Sequence, residues 1–252
     1  MLSRLRQVGL VWPTIFTIVG LAVLVSLGNW QWQRMYLKED LIDAIAVRTK
    51  AEPVAFDQRA MIDLPLSERE YLPVVARGVF DHSREKHVYA ASKRGQSGWH
   101  IFTPLIRPDD RPVWVNRGFV PDRLKELSQR KAGQTTGTVE IRGLVRVVKS
   151  PGYFVPDNDP ATNIWYWPDV FGMQRTAFPN ADPTQAPTRT YIDAERSGDG
   201  WPRGGTTVLR LENKHFGYAL TWFGLALTLI GVFLAFALQR LRPGDSASAS
   251  QS

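Results

Sequence analysis

Two runs of apolar residues without a charge, 8–27 and 216–238, stand at opposite ends of a chain whose interior changes between apolar and polar every few residues. Each run is about 20 residues long, which at about 1.5 Å per residue matches a hydrocarbon core of about 30 Å. Both therefore predict membrane-spanning helices. Beyond the first run, residues 29–47 hold few helix breakers and place Trp30, Arg34 and Lys38 at i, i+4 and i+8, so the helix is expected to continue outward past the membrane. Residues 51–73 carry three prolines and mixed charge, the pattern of a loop with a short helix. Segments rich in Val, Ile and aromatics follow at 73–80, 86–91, 99–106, 113–119, 138–148, 188–194 and 206–211. Turns such as Arg107-Pro108-Asp109-Asp110-Arg111-Pro112 separate them, which predicts strands joined as hairpins. Repeated hairpins imply an antiparallel, barrel-like sheet. Short helices are expected on its edge at 121–130 and 169–176, and proline-rich excursions at 150–168 and 177–187.

The fold class that follows is a membrane protein in which two transmembrane α-helices flank one β-rich extracytoplasmic domain. Its expected segments are a cytoplasmic stub at 1–7, a first span at 8–28 and a β-rich domain at 29–214, of which 29–47 extends the first helix. A second span at 215–238 and a low-complexity tail at 239–252 complete it. Arg4 and Arg6 ahead of the first run, and the loose small-x-small pattern Ser26-Leu27-Gly28, raise a cleaved signal as an alternative. The run is longer than a signal core of about 7–15 residues, and Trp30, Trp32 and Arg34 follow it like an interfacial collar, which favours an uncleaved anchor. Basic residues nearly balance across the spans, with Arg4, Arg6, Arg240 and Arg242 on one side and Arg34, Lys38, Arg210 and Lys214 on the other. The short basic stub favours cytoplasmic termini.

Charge and composition narrow the function classes. The 252-residue chain has a formal charge of +7. Without Arg4, Arg6, Arg240, Arg242 and Asp245, 27 basic residues face 23 acidic ones, too mild an excess to argue for nucleic acid. There is no cysteine, which excludes disulfides, CxxC redox chemistry, thiolate copper capture and covalent haem attachment through CxxCH. HExxH, Walker and GxSxG motifs are absent, so no catalytic constellation is read and the chain is expected not to be an enzyme. His82, His87 and His100 lie in or near strands; His87 and His100 could meet across a sheet, but no third ligand stands at metal-binding spacing, and structural histidines are the better reading.

His215 is more informative, because it stands where the domain meets the second span. At 100° per residue, His215, Tyr218, Ala219, Trp222, Ala226 and Leu229 share one helical face, and Gly217, Thr221, Gly224, Thr228 and Gly231 the opposite one. Small residues at this spacing let a second helix approach closely, and the first span is the nearest partner. On that arrangement His215, Tyr218 and Trp222 point outward. An imidazole backed by aromatics at the interface is a candidate axial ligand for haem iron. An interfacial aromatic belt explains the same residues. Trp30 and Arg34, able to stack as a cation–π pair, belong to the same level and carry the same two readings.

A series of short motifs then gives a family resemblance. Gly28, Trp30, Gln31 and Arg34 match a GxWQxxR signature, and Arg77-Gly78-Val79-Phe80-Asp81 an RGxFD strand. Gly98-Trp99-His100-Ile101-Phe102-Thr103-Pro104-Leu105 and Val115-Asn116-Arg117-Gly118-Phe119-Val120-Pro121 follow, the latter with Phe119 where Trp is usual. Arg142-Gly143-Leu144, the segments 154–160 and 163–167, and 213–222 complete the order. In this order, between two spans, the chain resembles the surfeit-locus (Surf-one) family of cytochrome c oxidase assembly factors over nearly its whole length.

The resemblance implies a protein of the bacterial inner membrane with cytoplasmic termini and a periplasmic domain. Its implied role is in delivery or insertion of haem a into the oxidase core subunit. The core subunit is the implied partner, with a haem a synthase a candidate second partner, besides membrane lipid. The histidine that the family is thought to use for haem contact maps onto His215, and with it Tyr218, Trp222, Trp30 and Arg34 are the candidate cofactor-binding residues. Asn116, Arg117, Asn158 and Asp159 are open to two readings, a docking surface or hydrogen bonding within turns and strands. The alternative function is a haem-free scaffold that stabilises the nascent oxidase subunit.

Overall fold

The computed structural model describes residues 9–91, 97–109, 111–182, 187–207 and 212–241. The chain forms two compact units, Met1–Asp43 with Arg210–Ser252, and Ala44–Leu209.

The first unit is built from two helices long and apolar enough to cross a membrane, α1 (Val11–Thr49), whose later residues enter the second unit, and the helix after the sheet, His215–Leu241. One unbroken α1 covers both the apolar run and the expected extension. The two helices are antiparallel. A Cβ on Gly28 would lie 2.6 Å from the Phe223 ring, and one on Gly20 would lie 3.0 Å from the Leu229 side chain. Ala219 and Ala226 are buried, two turns apart on the second helix.

This overturns the expected helix faces. A Cβ added at Gly217, Gly224 or Gly231 would meet nothing within 4 Å, and Thr221 and Thr228 are exposed, their hydroxyls donating to the carbonyls of Gly217 and Gly224 at 2.9 Å. The small-residue face of the second helix is therefore open, and the Ala219–Ala226 face turns toward α1. Periodicity sorts residues into faces without saying which face is covered. Here the small residues that permit close approach are the glycines of α1, and they receive Phe223 and Leu229.

The second unit is an eight-stranded sheet. Its strands are β1 (Val54–Ala55), β2 (Pro73–Phe80), β3 (Lys86–Ala91), β4 (Ser97–Ile106), β5 (Pro112–Pro121), β6 (Thr138–Val147), β7 (Ile164–Trp165) and β8 (Thr190–Ala194). They pair in the order β1-β2-β6-β8-β5-β4-β3-β7, with an additional β2–β4 pairing. β3–β4–β5 are the hairpins that the turn signals predict. The sheet is mixed, however: β1–β2, β3–β7 and β5–β8 are parallel. β8 arrives after a long excursion, so no tight turn dictates its direction, and it fits between β5 and β6.

β5 shows why the domain holds without cysteine. Val113 and Val115 point into one core with Phe56, Val74, Leu105, Val145 and Ile192, while Trp114 between them joins Phe102, Trp165, Val170 and Met173 on the other face. Full burial of such side chains contributes about 1.5–3 kcal/mol each. Trp114 Nε1 donates to Gln174 Oε1 at 3.1 Å and ties the sheet to α4 (Val170–Ala177). That helix starts where Asp169 accepts from Gly172 N at 3.0 Å. Two other short helices, α2 (Gln58–Asp63) and α3 (Leu66–Arg69), occupy the expected loop after α1; with them counted, the helix at His215–Leu241 is α5.

The expected helix at 121–130 is instead two 3₁₀ pieces, Asp122–Leu124 and Leu127–Gly133. Its buried Arg130 donates to the carbonyls of Leu124 and Lys125 at 3.0 and 3.1 Å, which draws them out of a regular helical ladder. Of the expected strand 206–211, residues 206–207 are irregular and 208–211 lie outside the described residues, as does the expected stub at 1–7; of the expected tail at 239–252, residues 239–241 continue the last helix and 242–252 lie outside the described residues.

Candidate functional site

Two polar contacts join α1 to the first turn of α5. Asn213, just before α5, accepts from the backbone N–H of His215 at 3.3 Å and donates through Nδ2 to the Met35 carbonyl at 3.0 Å. One turn earlier on α1, Gln31 Oε1 lies 2.7 Å from His215 Nδ1. An amide oxygen only accepts, so a hydrogen bond in this geometry requires a proton on Nδ1, and Nε2 lies outside the contact.

His215 lines a concavity of about 360 Å³ together with Trp30, Arg34, Leu37, Lys38 and Leu41. The α1 residues follow a spacing of four, three or four, and three, which puts them on one face of the helix. Trp30, Arg34 and His215 are thus gathered as the sequence positions them, at one level of the helix pair. Tyr218, 57% exposed, and Trp222 do not line the concavity, and Trp32 instead packs against Tyr36 and Phe216, with ring centroids 6.1 and 6.2 Å away. Trp30 and Arg34 make no cation–π contact with each other; both face the cavity. Gln31 and Leu37 carried no role from sequence. Gln31 stands inside the GxWQxxR segment, but which of its residues meets α5 depends on a helix rotation that local sequence does not state.

The β-unit has polar clusters of a different kind. Asn116 donates to Asp193 Oδ1 at 2.6 Å and accepts from Gly118 N at 3.0 Å. Arg117 stacks on Phe80 at 4.7 Å and binds the Gly133 carbonyl. Asn158 accepts from the N–H groups of Tyr166 and Trp167, and Asp159 closes a turn onto Ala161 and Thr162. All four motif residues thus make hydrogen bonds that build turns and strand pairings.

His87 and His100 do not meet, because they lie one residue out of register across β3–β4 and point to opposite faces. His87 Nε2 lies 2.9 Å from Glu85, which is also bound by Arg130. His100 lines a cleft of about 340 Å³ with Phe102, Asn116, Tyr191 and Asp193. Its Nδ1 has no partner among the described residues, and burial pushes the imidazole pKa down to about 4. Burial likewise raises the Asp193 carboxyl, against the pull of Thr207, Arg146 and Asn116. Among the described residues no group of three or more His, Asp or Glu side chains is placed to hold a metal ion.

Two helices long and apolar enough to cross a membrane thus flank a β-rich unit and carry a polar-and-aromatic concavity, an arrangement consistent with membrane anchoring. The SURF1 family profile matches residues 18–227. Surfeit locus protein 1 of Mus musculus is 35% identical over 227 residues, covering 83% of this chain and 71% of the mouse protein. A SURF1-like protein of Monosiga brevicollis is 35% identical over 247 residues, 91% of this chain and 88% of its own, and the Homo sapiens protein is 35% identical over 219 residues, 80% and 69% respectively. The chain belongs to the SURF1 family, known as cytochrome c oxidase assembly factors.

Proposed function

We propose that this protein assists cytochrome c oxidase assembly by transiently holding haem a at the outer membrane interface and passing it to the oxidase core subunit. In this reading the termini are cytoplasmic, the β-unit is periplasmic and the membrane is the bacterial inner membrane. One observation carries the reading: His215 lines the concavity with a ring nitrogen left free by the Gln31 contact.

The residues present fit an iron porphyrin as cargo. His215 Nε2 offers a nitrogen donor. Arg34 and Lys38 offer cations for its carboxylates, and Trp30, Leu37 and Leu41 offer apolar walls. The bound group would bring its own redox-active iron, and the chain has only to bind, orient and release it. No bond-making step is asked of this protein, so its role is carriage rather than catalysis.

The test is the optical spectrum of the full chain purified in detergent from cells that make haem a, beside His215→Ala. Haem present in the parent and lost in the variant supports carriage through His215; equal haem in both refutes that ligand. A second reading, a haem-free scaffold for the nascent subunit, is favoured by the open face of Gly217, Gly224 and Gly231 on α5. Colourless protein that still co-purifies with the oxidase core subunit would select it.

A further inference from the structure

The imidazole of His215 has two nitrogens, and the structure engages one of them. Gln31 reaches Nδ1 at 2.7 Å, while the other edge of the ring has no hydrogen-bond partner among the described residues. The spacing of the two helices is set elsewhere. Asn213 ties its own segment to the Met35 carbonyl one turn beyond Gln31, and Gly28 receives the Phe223 ring about one turn before it. With α1 and α5 held on both sides, the amide of Gln31 is left to act on the ring itself.

We propose that Gln31 is the positioning residue of this site: its side-chain carbonyl fixes the Nδ1–H tautomer and rotation of His215, so that Nε2 presents its lone pair to iron. The proposal deepens the haem reading above and rests on it for the identity of the metal. The physical reason is general. A free imidazole exchanges between two tautomers and turns about its χ2 bond, and only one tautomer in one range of rotation offers a given nitrogen to a metal. An acceptor on Nδ1 removes both freedoms and makes the opposite nitrogen a stronger donor. Gln31 thereby supplies from α1 the partner that His215, at the first turn of α5, cannot find on its own helix. The competing account is that Gln31–His215 is an ordinary interhelical hydrogen bond that only helps the helices associate.

The two accounts separate in the haem-free protein. The chain has four histidines, so ¹⁵N spectra of the full chain in lipid nanodiscs contain four imidazoles, with His215 identified by its loss in His215→Ala. The expected result is a protonated Nδ1 and an unprotonated Nε2 in the parent. Gln31→Leu should release the ring to a mixture of tautomers, and Gln31→Glu, which keeps an acceptor, should retain the parent pattern. Titration with ferric protoporphyrin IX should then show affinity falling about 10- to 100-fold in Gln31→Leu and recovering in Gln31→Glu. A parent ring protonated at Nε2, or a tautomer that Gln31→Leu leaves unchanged, overturns the proposal. The expected tautomers with porphyrin binding that ignores His215 would overturn the haem reading alone and leave Gln31 supported as the residue that sets the ring.

Discussion

Acid should weaken the β-unit through one residue, and the size of the effect follows from its burial. His100 on β4 faces the cleft formed with Phe102, Asn116, Arg146, Tyr191 and Asp193, where burial lowers its pKa from 6.5 to about 4. In the unfolded chain the ring takes up its proton near pH 6.5. Between these values the unfolded state binds more protons than the folded one, so stability falls as pH falls, beginning near 6.5 and levelling off below 4. At about 1.4 kcal/mol per pH unit the loss is about 2 kcal/mol by pH 5 and about 3 kcal/mol by pH 4. Carboxylates titrate in the same range, so the measurement is a difference. Urea unfolding of the full chain in detergent, followed by tryptophan emission, is compared at pH 7, 5 and 4 with His100→Gln. The variant should lack this part of the loss while keeping the rest. Parallel pH dependence in the two proteins, or a difference that appears only below pH 4, would refute the reasoning.

Two further outcomes test the packing. Glu85 and Arg130 are paired through both terminal guanidinium nitrogens with side chains 2% and 1% exposed, so Arg130→Met leaves a buried carboxylate with only the His87 imidazole beside it and should cost about 3–5 kcal/mol in urea unfolding. Adding Glu85→Leu should return part of that loss, and a single-variant cost under about 1 kcal/mol would contradict the burial. On the helix pair, Gly28→Leu should separate α1 from α5 because its Cβ would meet the Phe223 ring at 2.6 Å, whereas Gly224→Leu should be tolerated. The native chain has no cysteine, so cysteines placed at 35 and 213 report the separation directly; equal crosslinking in the two variants would contradict the observed faces.

The parts of this structure legible in sequence are those that local chemistry decides. The charge-free runs at either end, the helix carried on past Trp30 and Arg34, the β3–β4–β5 hairpins and the Asp169-capped α4 all follow from neighbours a few residues apart. That Trp30, Arg34 and His215 line one concavity follows from their places along the two apolar helices, near the end of one charge-free run and the start of the other. The direction of β8 was not, because its partners Val115 and Val145 lie far away in the chain and no hairpin turn leads to it. The covered face of α5 was misread because Gly217, Gly224 and Gly231 look like a contact stripe until Gly20 and Gly28 are seen to serve on the other helix. The part played by Gln31 is not legible in sequence, since a glutamine on an apolar helix acquires meaning only with the imidazole opposite it. The 3₁₀ break at 122–133 likewise depends on the buried Arg130 side chain, which competes for its own segment's carbonyls.

The place of β8 also sets a clock. It is the last strand among the described residues, yet it sits in the interior of the sheet, pairing with β5 on one side and β6 on the other. As the chain is synthesised from its N-terminus, β5 and β6 each wait with an unpaired edge, and Ile192 is missing from the core that Val115 and Val145 line. The sheet closes only once Thr190–Ala194 is available, shortly before the residues of α5. Over that interval the half-made sheet offers two open edges to any passing strand, its own later residues included. A chain interrupted before Thr190 would therefore keep those edges permanently, and its fate would be aggregation or degradation rather than a smaller working domain.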